Sequence, residues 1–219
     1  MNQLSHSPPL EPNSVYHIFT HAVEHNNLFE NMGNYTYFLE KWQLQTEGYF
    51  KTYAFCLMPN HLHFCIQTAT ESDLLQLSNQ DKPIKEEEDW NDKILSQRVS
   101  NCLNGYTQAF NKQQKRKGTL FRSRFGRIKI ENKQYFKDAI CYTHHNPIHH
   151  FNADGYADWA FSSYNMFIKG ELYDTTYGLC SDTVIGAFGD LDNFKIYHEQ
   201  YRQQKKYTTF EAEIKKNDV

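Results

Sequence analysis

Leu57-Met58-Pro59-Asn60-His61-Leu62-His63-Phe64-Cys65-Ile66 decides how the chain is read. The run Tyr53 to Met58, ahead of Pro59-Asn60, is rich in strand formers, and His61 to Gln67, behind it, alternates. Pro-Asn between two such runs predicts a turn, so 52–67 is expected to be a hairpin. Residues two apart on a strand share a face. His61 and His63 then point one way, while Leu62, Phe64 and Ile66 point the other, into a core. Two imidazoles on one strand face can each give a nitrogen to a divalent metal. A bare His-x-His is more often one core and one surface histidine, so the rest of the chain must decide.

Upstream, Val15 to Thr20 predicts a first strand, in which His17 reads as structural. Asn34 to Gly48 has the spacing of an amphipathic helix ended by glycine. Downstream, a helix is expected from Glu71 to Ser78, a solvated acidic loop over 79–93, and a second helix from Leu95 to Phe110. Gly126 to Ile130 reads as a strand. Asn132 is placed to cap a helix that Pro147 should stop at about Asn146. Tyr142 and Asn146, four apart, share one face of that helix. Tyr135 and Asp138 lie on the same helix, and the residues alone give Tyr135 equal standing with Tyr142 as a nucleophile and leave Asp138 as a competing ligand.

At 219 residues and 26.0 kDa, one domain with additions is expected. The net charge of −3 hides a local excess. Lys112, Lys115, Arg116, Lys117, Arg122, Arg124, Arg127 and Lys129 fall within 111–130 with no acid among them, and Phe121 and Phe125 are interleaved. Such a strip suits a phosphate backbone and unstacked bases, and an ordinary solvated face equally well. Five scattered cysteines without Cys-x-x-Cys point to reduced thiols in a cytoplasmic protein, and Cys56, His61, His63 and Cys65 match no standard zinc spacing. No apolar run of about 18 residues occurs, so no membrane span is expected. The polar, Pro-containing start is unlike a secretory signal.

Three stretches, in order, carry a resemblance. Pro59-Asn60-His61-Leu62-His63 resembles the HUH motif of single-tyrosine transposases that act on single-stranded DNA. Gly118-Thr119-Leu120-Phe121-Arg122-Ser123-Arg124-Phe125 resembles their G-x-L-F-x-x-R-F stretch. Tyr142-Thr143-His144-His145-Asn146-Pro147 is similar to their Tyr-hydrophobic-x-x-Asn-Pro, with Thr143 as a departure. Trp159, Ser162, Ser163 and Tyr164 match a further W-x-x-S-S-Y. The likeness spans roughly 15–165, and the added segments resemble the REP-associated branch.

The resemblance implies an α+β, ferredoxin-like α/β sandwich with an antiparallel sheet and helices, often dimeric. It implies Tyr142 as nucleophile and His61, His63 and Asn146 as ligands of Mg²⁺ or Mn²⁺. The reaction would be nicking and strand transfer on single-stranded or hairpin DNA through a 5′-phosphotyrosine, with the basic strip of Lys112 to Lys129 on the DNA. The expected organisation is a flexible lead at 1–13, the transposase-like domain at 14–165 and a helical extension at 166–219. The alternatives are a single-stranded nucleic-acid-binding protein that has lost cleavage and, more weakly, a metal hydrolase of small phosphoesters.

Overall fold

The computed structural model describes residues 7–24, 26–81, 89–122, 125–169, 177–205 and 207–217. Strand β1 (Val15–His21) leads to α1 (Met32–Thr46), the hairpin β2 (Phe50–Leu57) and β3 (His61–Thr68), then α2 (Glu71–Asp81) and α3 (Trp90–Gln113). Next come β4 (Gly126–Ile130) and α4 (Lys133–Phe151). A short 3₁₀ turn at Tyr156–Asp158 precedes α5 (Tyr164–Lys169), α6 (Ser181–Phe188), α7 (Leu191–Gln203) and α8 (Tyr207–Asn217). The sheet order is β2-β3-β1-β4 with every pair antiparallel. This is the ferredoxin-like α+β sandwich that the resemblance implied.

The hairpin turns where Pro59-Asn60 predicted, closed by the Met58 N–H donating to the His61 carbonyl at 2.8 Å. The register of β1 on β3 sets His17 opposite Cys65, Phe19 opposite His63 and His21 opposite His61. All six therefore share one face. The other face packs on α1 and α3: Trp42 stacks on Phe64 at 4.1 Å and donates its indole N–H to Thr52 at 3.0 Å. Both faces are buried, because α4 and α8 roof the histidine side.

Three boundaries differ from expectation. Residues 7–13 are docked: Leu10 is buried and its N–H donates to Asp92 at 2.8 Å, and the Tyr16 hydroxyl donates to the Pro9 carbonyl at 2.8 Å. Helix α3 begins at Trp90 and α2 runs to Asp81, so most of the acidic run falls in 82–88, outside the described residues. Helix α4 starts on the Asn132 cap, which accepts the Tyr135 N–H at 2.8 Å, yet it continues through Pro147 to Phe151. Proline removes the donor that the carbonyl one turn back needs. The carbonyl left without it is that of Thr143, which the Asn146 Nδ2 only grazes at 3.5 Å while making its main bond to the Tyr142 carbonyl at 2.8 Å.

A buried polar chain fixes α4 in place. His198 Nδ1 donates to the Phe194 carbonyl, His144 Nδ1 lies 2.8 Å from His198 Nε2, and Ser163 Oγ lies 2.8 Å from His144 Nε2. The Phe55 N–H donates to the same Ser163 oxygen at 2.9 Å, tying the chain to β2. The first bond dictates the rest, so both imidazoles are neutral and every nitrogen is used. Burial holds His198 down at about 3 and His144 well below its ordinary value. In the unfolded chain both titrate near 6.5, so stability is constant above that pH and falls below it, by about 1.4 kcal/mol per pH unit for each histidine. The melting temperature should accordingly drop by roughly 5–15 °C between pH 7 and pH 5. A flat profile across that window, measured by circular dichroism, would remove this network from the stability of the fold.

Candidate active site on the histidine face of the sheet

His61 and His63 open β3, two residues apart, with rings 5.2 Å apart and edge to face. Above them, α4 carries Tyr142, Asn146 and His150 at helical spacing. The phenol ring centroid is 5.7 Å from that of His63, and His150 meets His61 edge-on at 5.0 Å. His21 stacks on His61 from β1 at 5.1 Å.

The nitrogen atoms are ordered. His61 Nδ1 sits 2.8 Å from Asn60 Oδ1, and since a carboxamide oxygen only accepts, this nitrogen carries the proton. His61 Nε2 is left with its lone pair, buried and without a hydrogen-bond partner. His63 Nε2 and Asn146 Oδ1 are orphaned in the same way. Asn146 is oriented by its own amide, which is engaged under Pro147 and turns the oxygen outward. His17 Nδ1, from the same face, is unpaired as well, and the Asn146 side chain is close enough to His61 to act on it. Buried polar atoms are nearly always paired, so such a cluster can take a further partner. Among the described residues no group of three or more His, Cys, Asp or Glu is arranged to hold a metal. The set here is two imidazoles and a carboxamide, which suits Mn²⁺ or Mg²⁺.

Burial, and then the neighbouring His21 and His150, hold His61 down at about 3, and burial with His17 and His61 holds His63 well below its ordinary value. Neutral imidazoles are the ligating form. Gly126 serves the same site from β4: a Cβ there would come 2.3 Å from the Phe19 ring, whose face stacks on His63 at 6.2 Å. Only glycine lets Phe19 lie in that groove.

Tyr142 is closed in. It is 4 % exposed, and Phe210 of α8 stacks on its ring at 4.7 Å. Burial first, and then the Glu211 carboxylate, push the phenol above its ordinary range. Helix α8 is held at its edges, where Tyr207 stacks on His145 at 4.6 Å and Glu211 pairs with His149 at 3.4 Å. Tyr135 hydrogen-bonds Glu213, and Asp138 accepts from the Tyr197 hydroxyl at 2.7 Å. Both rivals of Tyr142 and Asn146 are thus engaged with the C-terminal helices.

The basic strip divides. Lys112, Lys115, Lys117 and Arg122 are exposed at the end of the sheet where β1 finishes, with the Arg122 N–H donating to the His21 carbonyl at 2.9 Å. Arg116 lies over Phe110 and donates to the Thr119 carbonyl at 3.0 Å. Arg127 and Lys129 do not join them. Paired with Ile18 and Tyr16, they point to the opposite face, where Arg127 meets Asp92 at 2.9 Å and Lys129 meets Glu11. Arg124 lies outside the described residues. The sequence reading missed His21 and Phe210 at the site, and it ranked His150, with His144, His145 and His149, as a surface histidine ahead of a further ligand. The alternation of His17, Phe19 and His21 was a signal for the first, but only the strand pairing shows what they face.

No protein-family model matches the chain. It is 26% identical to a putative REP-associated tyrosine transposase of Haemophilus influenzae over 131 residues, 59% of this chain and 67% of the relative. Among solved structures, a REP-associated tyrosine transposase bound to a REP hairpin superposes with a TM-score of 0.55 at 14% identity, over 79% of this chain and 88% of that one. The structural likeness is one of fold. The name of the Haemophilus protein is that of the REP-associated branch which the motifs resemble, and this comparison supports the resemblance.

Proposed function

We propose that the chain nicks and transfers strands of hairpin or single-stranded DNA, with Tyr142 as nucleophile and a divalent metal held by His61, His63 and Asn146. One observation carries this reading: His61 Nε2, His63 Nε2 and Asn146 Oδ1, all buried and unpaired, belong to residues grouped around the Tyr142 ring. The likeness to a protein described with a REP hairpin favours hairpin DNA as the substrate. Lys112, Lys115, Arg116, Lys117 and Arg122, at the same end of the sheet, would take the phosphate backbone.

A bound Mn²⁺ or Mg²⁺ would neutralise charge on the scissile phosphate and polarise its phosphorus. Tyr142 Oη attacks phosphorus, the bond to the 3′ oxygen breaks, the phenol gives up its proton and the 3′ oxygen takes one up. The phosphodiester energy is kept in the phosphotyrosine, so a 3′-hydroxyl on another strand can reverse the step. Phenol and imidazoles meet within one chain, an arrangement in which the tyrosine serves the metal site of its own subunit.

The Phe210 cover over Tyr142 favours a second reading, a nucleic-acid-binding protein without cleavage. A panel of labelled hairpins with single-stranded flanks, incubated with Mn²⁺ and run on denaturing gels, separates the two. The expected result is a covalent protein–DNA band that disappears with chelator. Hairpin binding without an adduct, from both the full chain and a chain ended after Lys205, would establish the second reading instead.

A further inference from the structure

We propose that His17 is a positioning residue for the metal site: it accepts the Nδ1–H of His63 and so presents His63 Nε2 as a ligand. This rests on the metal reading above. His17 is fully buried on β1, and its Nε2 lies 2.9 Å from His63 Nδ1. Two proton arrangements satisfy that contact. If His17 donates, His63 carries its proton on Nε2, which is then a buried N–H with no acceptor and cannot bind a metal. If His63 donates, its Nε2 is left with a lone pair, and His17 carries its own proton on Nδ1, which is buried and unpaired in its turn. Each arrangement leaves one buried N–H without an acceptor, and only the second leaves His63 able to ligate.

The second arrangement repeats what Asn60 does for His61, where the acceptor is unambiguous. Each ligand imidazole thus has its far nitrogen gripped, one by a carboxamide and one by a neutral imidazole. Ligating histidines regularly hand their second N–H to such an acceptor, and losing it typically costs 10–100-fold in metal affinity. A neutral acceptor adds no charge next to the metal, unlike the carboxylate often found in this role. Phe19 lies alongside the same ring, near-parallel to it, with the centroids 6.2 Å apart. His17 also lies 5.6 Å from Tyr142 and 5.0 Å from Phe210, which places it inside the site and away from the strand ends.

The test uses the full chain and Mn²⁺, with affinity read from the electron paramagnetic resonance of the free ion. His17→Phe keeps an aromatic ring without an acceptor and should weaken binding about 10–100-fold. His17→Gln puts a carboxamide oxygen where Nε2 was and should stay within a few-fold of wild type. In parallel, nitrogen-15 spectra of the wild-type histidines with Zn²⁺ should show His63 protonated on Nδ1. Wild-type affinity in folded His17→Phe, an equal loss in His17→Gln, or a wild-type His63 with Nε2–H would each overturn the role of His17. Absence of Mn²⁺ binding by the wild-type chain would overturn the metal site itself, and His17's part with it.

Discussion

Replacing Tyr142 by Phe should abolish the covalent adduct, by about 10³-fold or more, while hairpin binding is unchanged. The substitution removes one oxygen and keeps the ring, so the stack on Phe210 and the edge contact with His63 survive. No metal ligand and no basic side chain is altered. Loss of the adduct with retained binding therefore isolates the nucleophile. A normal adduct from this variant would pass the role to another hydroxyl, and Tyr135 is then the first to examine, although its hydroxyl is committed to Glu213.

Ending the chain after Lys205 should raise the initial rate of adduct formation by about 10- to 100-fold, equivalent to about 1.4–2.7 kcal/mol. Phe210 and Ile214 are buried by α8 against α4 and the sheet, and burying such a side chain contributes roughly 1.5–3 kcal/mol. Ordering the segment offsets part of that. The closed state is thus favoured by an amount that DNA binding must otherwise supply. Removal of α8 acts twice, because it takes away both the ring that covers the phenol and the Glu211 carboxylate that discourages its ionisation. Phe210→Ala should move the rate in the same direction with less exposure of apolar surface. A folded chain without α8 that reacts no faster than the full one would show that α8 is not what keeps the tyrosine from DNA.

What could be read in the sequence was local. Alternation around Leu62 placed His61 and His63 on one face, the Asn132 cap started α4, and a spacing of four aligned Tyr142 with Asn146. Each of these depends on residues within a turn or a strand of one another. What escaped depended on partners far along the chain. Arg127 and Lys129 looked like part of a basic strip until Asp92 and Glu11 appeared beside them. Phe210 and Ile214 have the spacing of any amphipathic helix, and nothing in that spacing tells which surface they cover. His17 looked structural, and only the insertion of β1 between β3 and β4 sets it against His63. The stop expected at Pro147 failed because proline takes the backbone donor from one carbonyl alone, that of Thr143, and the helix runs on past it.

The proline in α4 has an effect on design. An alanine at that position would restore an ordinary backbone bond to the Thr143 carbonyl and give a sounder helix. It would leave the 2.8 Å bond from the Asn146 amide to the Tyr142 carbonyl in place, so the aim of the oxygen opposite should survive the change. Thermostability and ligand aim are therefore separable at this one turn, and an engineer could repair the flaw without blunting the tool.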